Sequence, residues 1–316
     1  MWNTARIGLA IAAMALTFCT PAAAEELTGA EHWVEQNGVR IYVWEKYSGT
    51  PSGKRAVVLA HGSATAGRES FDLQVEGKPT YSMMDFLAKE GFDVFALDTR
   101  GFGRSTHPEG HISTKDAADD LAAVVDYVLK IRNLQKVDLL GWSWGTQYAG
   151  MYLMSEPQQK IGRYVSFSQM HPDSPDLARR RPRAELFRKN PYLSVPEAGW
   201  KPRFYSMTPS EVNDPDVVNA YAKAAAKIEL KSATGPQLDM VTIMPMVNPR
   251  LINVPVLIIH GQYDDVADLD GLLPFFRQLP NPYKRYVVLP NAGHMIHLQK
   301  DHKLFQHEVA AFLKAP

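Results

Sequence analysis

The chain of 316 residues has only one cysteine, Cys19, which excludes an internal disulfide and with it a small disulfide-stabilised scaffold. It also lacks a net formal charge, because 34 lysine and arginine residues balance 34 aspartate and glutamate residues. This balance provides no global attraction to nucleic acid or to an anionic membrane, and we expect neither as a partner. The 45% of hydrophobic residues suffices for a large core, which excludes a disordered or collagen-like chain.

The chain has one markedly long apolar run, and it lies at the N-terminus. Residues 7–18 follow Arg6, and the small residues 22–24 come shortly after them. This pattern is typical of a secretory signal peptide, and the run is short for a membrane span. We therefore expect a signal peptide over residues 1–24 and cleavage after Ala24, which leaves a periplasmic or secreted protein with no stable membrane insertion. An uncleaved anchor is the alternative.

Short apolar segments alternate with helical patterns along the rest of the chain. Segments 32–36 and 39–44 flank Asn37-Gly38, a dipeptide that favours a tight hairpin turn. Most later segments lack polar alternation, as in strands covered on both faces; they are residues 57–60, 94–97, 137–140, 256–259 and 286–289. Helical patterns lie between them. The alternation predicts an α/β fold, with a mostly parallel central sheet and helices on both of its faces.

Residues 171–250 interrupt this alternation and contain one clear helical pattern, at 216–230. We interpret them as a cap insertion over the carboxyl edge of the sheet, within one domain over residues 25–316. Its large apolar side chains form either the wall of a substrate cavity or a small core: Trp200, Phe204, Tyr205, Met207, Met240, Met244 and Met246. Its basic cluster is either a solvated face or a site for a carboxylate-bearing substrate: Arg179, Arg180, Arg181, Arg183, Arg188 and Lys189.

The pentapeptide Gly141-Trp142-Ser143-Trp144-Gly145 lies between the predicted strand 137–140 and a predicted helix over 146–154. A nucleophile elbow requires this placement, because its tight turn favours flanking glycines and projects the serine hydroxyl above the sheet. The N-terminus of the following helix favours developing negative charge. The alternative is an ordinary loop serine between two glycines. The pattern predicts that Ser143 is a catalytic nucleophile.

A serine nucleophile needs a base, and the base needs an acid that holds its imidazole in the correct tautomer. His294 follows the last predicted strand, and Asp264 follows the strand at 256–259. The order serine, aspartate, histidine and the position of each residue after a strand fit an open parallel sheet. Asp265 remains an alternative for the acid, and so does Asp173, which follows a predicted strand around residues 164–167.

Acyl transfer also needs two N–H donors for the oxyanion. We expect them from Trp144, directly after the nucleophile, and from Ser63, which follows His61-Gly62 at the end of a predicted strand.

The other histidines have less specific surroundings. His260 ends another predicted strand, where we expect a buried structural side chain. His297, His302 and His307 are spaced by five residues and do not share a helix face, so we expect no metal site. We also expect no organic cofactor, because a serine nucleophile with its base and acid requires none.

With these residues assembled, the chain resembles the α/β-hydrolase superfamily over residues 39–313. The motifs that match in order are His61-Gly62, Asp98-Thr99-Arg100-Gly101-Phe102-Gly103-Arg104-Ser105, the elbow, Gly261…Asp264 and Gly293-His294. The Ser-Trp-Gly of the elbow is also similar to the elbow sequence Gly-Gly-Ser-Trp-Gly of proline iminopeptidases. The His61-Gly62-Ser63 loop departs from their His-Gly-Gly-Pro-Gly.

The resemblance implies a serine hydrolase for which we predict small carboxylic esters as substrates, cleaved through an acyl-enzyme. Hydrolysis of amides or peptides, as in proline iminopeptidases, is the nearest alternative. Lactone or carbon–carbon bond hydrolysis uses the same three residues and stays open. A binding protein without catalytic activity on the same fold is the alternative from another class.

Overall fold

The computed structural model describes Met1 and residues 26–63, 65–155 and 158–316. Apart from Met1, the predicted signal peptide lies outside these residues, so the signal and its cleavage after Ala24 stay predictions. None of the described helices combines the length and the apolar character that a membrane crossing requires.

Ten strands and ten α-helices form within the described residues. The strands are β1 Leu27–Gln36, β2 Val39–Ser48, β3 Ala56–Ala60, β4 Asp93–Leu97, β5 Val137–Trp142, β6 Ile161–Phe167, β7 Tyr192–Leu193, β8 Ser232–Ala233, β9 Val256–Gly261 and β10 Lys284–Leu289. The helices are α1 Gly67–Phe71, α2 Met83–Lys89, α3 Thr114–Arg132, α4 Trp144–Ser155, α5 Pro175–Arg180, α6 Ala184–Lys189, α7 Pro215–Ile228, α8 Gly235–Thr242, α9 Leu269–Gln278 and α10 His302–Lys314.

Eight of the strands form one sheet in the order β1-β2-β4-β3-β5-β6-β9-β10. The six strands from β4 to β10 in this order are parallel, whereas β1 and β2 are an antiparallel hairpin at one edge. Asn37 and Gly38 both have positive φ, of 50° and 79°, as the tight turn of such a hairpin requires. The arrangement confirms the predicted α/β-hydrolase fold, and the parallel strands end along one edge that can hold a site.

Both faces of the sheet are covered, which explains why the central strands are apolar without alternation. In β3, Val58 packs into the core on the side of α3 and α4, while Val57 and Leu59 pack on the side of α2 and α10. All three are fully buried. Burial of each such side chain stabilises the fold by about 1.5–3 kcal/mol, which holds the strand ends below the site in place.

Residues 171–250 contain the four helices α5 to α8 and a two-stranded antiparallel sheet of β7 and β8, rather than the single helix predicted at 216–230. That predicted helix is α7. Helices α5 and α6 have six residues each, too few for a 3.6-residue period to become visible in the sequence. The insertion is tied to the sheet domain by the carboxylate of Glu229, which accepts the N–H of Gly103 at 2.8 Å.

Candidate active site

Ser143 occupies the sharp turn between β5 and α4. Its φ is +56°, a left-handed value that is uncommon for a residue with a side chain and costs about 1–3 kcal/mol. Hydrogen bonds hold the strained backbone in place. The N–H of Ser143 donates to the carbonyl of Phe167 at 2.9 Å, and its own carbonyl accepts the N–H of Thr146 at 2.9 Å and the Thr146 hydroxyl at 2.6 Å.

The flanking glycines of the turn are required by close approach of the backbone. A β-carbon on Gly145 would clash with the carbonyl oxygen of Ala60 at the end of β3, and one on Gly141 would lie 2.7 Å from the carbonyl oxygen of Gly145. Gly62, just after β3, also has little space, because a β-carbon there would lie 3.2 Å from Cβ of Ser143. The glycines therefore let the loop after β3 lie directly beside the serine.

His294 and Asp264 meet at the same edge of the sheet. Nδ1 of His294 lies 3.0 Å from Oδ1 of Asp264, and since a carboxylate only accepts, Nδ1 carries the proton. This leaves Nε2 as the basic nitrogen. Asp264 is itself fixed by the N–H of Val266, which donates to Oδ1 at 3.0 Å, and by the hydroxyl of Ser168, which donates to Oδ2.

The pair shifts the pKa of each partner toward its charged form. Burial alone would raise the pKa of Asp264, but the charge and hydrogen bond of His294 and the Ser168 hydroxyl hold it below its usual value. Burial alone would lower the pKa of His294, but Asp264 raises it above 6.5. The arrangement can therefore stabilise an imidazolium, as a general base requires after it accepts a proton.

The other candidates for the acid have different surroundings. Asp265 pairs with Arg179 and accepts the hydroxyl of Ser206 at 2.6 Å, and Asp173 is exposed. The end of β6 contributes a hydroxyl, Ser168, instead of a carboxylate. Sequence reasoning missed Ser168, although its position directly after a predicted strand next to the site was a usable signal.

The two predicted oxyanion donors come from different elements, Trp144 from α4 and Ser63 from the loop after β3. Trp144 is the first residue of α4, where a helix provides no internal acceptor for its N–H. Ser63 lines the cavity together with Ser143, and its hydroxyl accepts the side-chain amide of Gln237 at 2.8 Å. The indole of Trp144 is fully buried and donates to Thr114 at 3.0 Å, so this side chain anchors α4 rather than contacting substrate.

Two further histidines near the strand ends have structural surroundings. His61 is fully buried, and burial lowers the pKa of its imidazole to about 4. Its Nε2 accepts the N–H of Thr99 at 3.1 Å. His260 is buried as expected and bonds to the hydroxyl of Tyr286 at 2.9 Å. Among the described residues no group of histidine, cysteine and carboxylate side chains could hold a metal ion.

A cavity of about 400 Å³ opens over Ser143 and His294, of a size that holds a small molecule. It is lined by residues of both the sheet domain and the insertion: Gly62, Ser63, Trp142, Ser143, Asp176, Arg180, Arg183, Phe187, Leu193, Val195, Gly199, Pro202, Arg203, Ser206, Ser232, Ala233, Thr234, Gln237, Asp265, Val266, His294 and Met295. Many of these residues are polar or charged, whereas an apolar wall would present mainly hydrocarbon and aromatic side chains.

Of the two alternatives for the large apolar residues of the insertion, the structure does not support a cavity wall, because none of the seven is among the residues that line the cavity. Trp200 and Phe204 are fully buried in the core, where Phe204 packs on Tyr221 with 5.4 Å between ring centroids. Tyr205 and Met207 are exposed. The buried members belong to the cores on the two faces of the sheet, which fits the alternative of a core that holds the insertion to the sheet domain. Two members of the predicted basic cluster, Arg180 and Arg183, line the cavity instead.

Comparison with known proteins identifies the family. The profile of the serine aminopeptidase S33 family matches residues 53–301. A bifunctional esterase/perhydrolase from Acinetobacter calcoaceticus is 29% identical over 208 residues, which cover 60% of this chain and 70% of that protein. A probable proline iminopeptidase from Leptolyngbya boryana is 20% identical over 297 residues, covering 80% of this chain and 84% of that protein.

Solved structures share the fold. An esterase from Exiguobacterium antarcticum superposes with a TM-score of 0.68 at 18% identity, covering 90% of this chain and 99% of that one. The family profile and the esterase relative support a hydrolase over a binding protein without catalytic activity. Because the family profile spans most of the chain and the sheet order agrees with the fold, this protein belongs to the serine aminopeptidase S33 family of the α/β-hydrolase superfamily.

Proposed function

We propose that this protein hydrolyses small carboxylic esters with Ser143 as its nucleophile. The observation that carries the proposal is the strained, left-handed Ser143 facing a small cavity that it shares with His294, whose other ring nitrogen bonds to Asp264. Strain of this kind clusters at active sites, and a base oriented by a buried carboxylate is what a serine hydroxyl needs to become nucleophilic.

The reaction divides into two steps. Nε2 of His294 takes the hydroxyl proton while Oγ of Ser143 attacks the ester carbonyl, and the resulting imidazolium returns this proton to the leaving alcohol as the C–O bond breaks. Water then loses a proton to His294 and attacks the acyl carbon. The bond from this carbon to Oγ breaks, and the imidazolium returns the proton to Oγ, which releases the carboxylic acid and restores the serine. The N–H groups of Ser63 and Trp144 stabilise the oxyanion in both steps.

The proposed ester hydrolysis predicts a clear preference for esters over amides. We expect turnover of 4-nitrophenyl butyrate to exceed that of proline 4-nitroanilide, and a fluorophosphonate to abolish it by labelling Ser143. Peptide mapping of the labelled protein identifies the modified residue. Faster cleavage of the anilide would transfer the assignment to amide hydrolysis, and a label on another residue would refute the role of Ser143.

Amide hydrolysis is the second candidate, favoured by the serine aminopeptidase family profile and the iminopeptidase relative. An aminopeptidase must bind a substrate ammonium group, for which the cavity offers the carboxylates Asp176 and Asp265. Both are already paired, with Arg180 and Arg179 respectively. The surrounding positive charge disfavours a cationic substrate, and we therefore place ester hydrolysis first.

The raised pKa of His294 predicts the acid limb of the pH profile. A protonated His294 cannot accept the serine proton, so activity is lost as pH falls through its pKa. Because Asp264 raises that pKa, we expect the acid limb of kcat/KM to lie above 6.5. The D264N variant leaves burial as the main influence on the imidazole, and its residual activity should have an acid limb at lower pH. A wild-type limb below 6.5 would contradict this prediction.

A further inference from the structure

Three arginine residues, Arg180, Arg183 and Arg203, are among the residues that line the cavity over Ser143. Two carboxylates, Asp176 and Asp265, line it as well. A charged group removed from water is costly unless it is paired with a group of opposite charge. A cavity arginine without a carboxylate partner therefore indicates that a ligand can supply the missing negative charge.

Both carboxylates are engaged within the protein. Asp176 forms a bidentate ion pair with Arg180. Nε of Arg180 donates to Oδ1 of Asp176 at 3.0 Å, and Nη2 lies 2.8 Å from Oδ2. Asp265 pairs with Arg179 and also accepts the Ser206 hydroxyl at 2.6 Å. The negative charges of the cavity are thus neutralised by Arg179 and Arg180.

Arg203 and Arg183 are left without such a partner. Neither has a carboxylate within ion-pair distance among the residues that the structure describes. Arg203 is half-buried and lies over the ring of Trp200, 4.6 Å from its centroid. Arg183 is exposed and lies 5.1 Å from the ring of Phe187. Burial and the nearby charge of Arg180 lower the pKa of Arg203, which is the mark of a desolvated cation.

We propose that the cavity selects esters that carry a carboxylate, and that Arg203, assisted by Arg183, binds this group. The inference rests on the proposed ester hydrolysis and adds the substrate class. A guanidinium presents parallel N–H donors that match a carboxylate, and the rings beneath both arginines hold the guanidinium planes in place. The size of the cavity limits the substrate to a small molecule with the carboxylate a few bonds from the ester.

Two matched pairs of substrates test the proposal. The mono-4-nitrophenyl ester of adipic acid is compared with 4-nitrophenyl hexanoate, which places the charge on the acyl side, and 4-acetoxybenzoate with its methyl ester, which places it on the alcohol side. In at least one pair we expect the anionic member to have the higher kcat/KM. Arg203→Gln should lower that value about 10- to 100-fold and change the neutral member less than about threefold.

Further variants separate recognition from folding. Arg203→Lys should restore part of the preference, because it keeps the charge but not the paired donors, and Arg183→Gln should show a smaller loss in the same direction. Arg188→Gln removes an exposed arginine of the same cluster that does not line the cavity, and should leave both members unchanged. Thermal melts verify that each variant folds.

Two outcomes would overturn the inference while ester hydrolysis stands. One is the absence of a preference for the anionic member in both pairs, and the other is an equal effect of Arg203→Gln on charged and neutral members. If no ester is turned over at all, the proposed function fails instead. Calorimetric titration of adipate into the wild-type protein and Arg203→Gln then decides separately whether the cavity binds a carboxylate.

Discussion

Replacing Ser143 by alanine is expected to lower kcat for 4-nitrophenyl butyrate by at least about 10⁴-fold, since removal of a serine nucleophile has effects of this order or larger. Without the hydroxyl there is no acyl-enzyme, and the oxyanion donors and cavity alone provide only slow turnover. The loss should appear in kcat, with the melting temperature little changed, because the alanine keeps the small side chain that the turn accommodates. Reaction with a fluorophosphonate should disappear as well.

Ser155→Ala is the matched control for this experiment. Ser155 ends α4, the helix that begins beside the nucleophile, and is exposed with its hydroxyl bonded to the carbonyl of Met151 at 2.8 Å. We expect full activity and full labelling of this variant. Residual activity of S143A close to that of the wild type, measured on protein free of contaminating esterase, would refute the assignment of the nucleophile.

Replacing Asp264 by asparagine is expected to lower kcat about 10⁴-fold with little change in KM. An amide in this position can donate a hydrogen bond to Nδ1 of His294, which favours the tautomer whose Nε2 carries the proton and cannot act as a base. The side chain keeps its size, and its remaining oxygen can still accept the Ser168 hydroxyl. The N–H of Val266 loses its acceptor, because in the wild type it donates to the same Oδ1 that contacts His294. Steady-state kinetics on the neutral ester measure the effect.

The neighbouring variant D265N distinguishes the two aspartates that follow one another in the sequence. Asp265 interacts with Arg179 and Ser206 rather than with His294. We therefore expect its kcat to stay within about tenfold of the wild type, because the amide can still accept a hydrogen bond. A larger loss of kcat in D265N than in D264N would exchange the roles of the two residues.

The fold could be predicted because its signals are local. Runs such as 57–60 and 256–259 are apolar at every position, and a strand covered on both faces needs this composition wherever it occurs. The helix at 216–230 was visible for the same reason, since α7 is long enough to show its period. The shorter helices α5 and α6 were not visible, because six residues contain less than two turns.

The insertion shows where local patterns mislead. Large apolar residues such as Trp200 and Phe204 suit both the wall of a binding cavity and a core. Only the tertiary packing decides that these two side chains are buried in the core. The same holds for charge. Arg203 lies outside the basic cluster at 179–189, so no run of like residues marked it, yet it reaches the cavity that Arg188 does not line.

The sequence by itself determined the sheet, the elbow and the order of serine, aspartate and histidine, because each is written in a few adjacent residues whose backbone preferences and polarity act locally. Only the tertiary structure decided that Asp264 rather than Asp265 or Asp173 bonds to His294, that Ser168 supports it, and that Arg203 lacks a partner. These contacts join residues about 30 to 100 positions apart in the sequence. They depend on how the strand ends and the insertion pack together, because a shift of one residue changes which side chain faces the site.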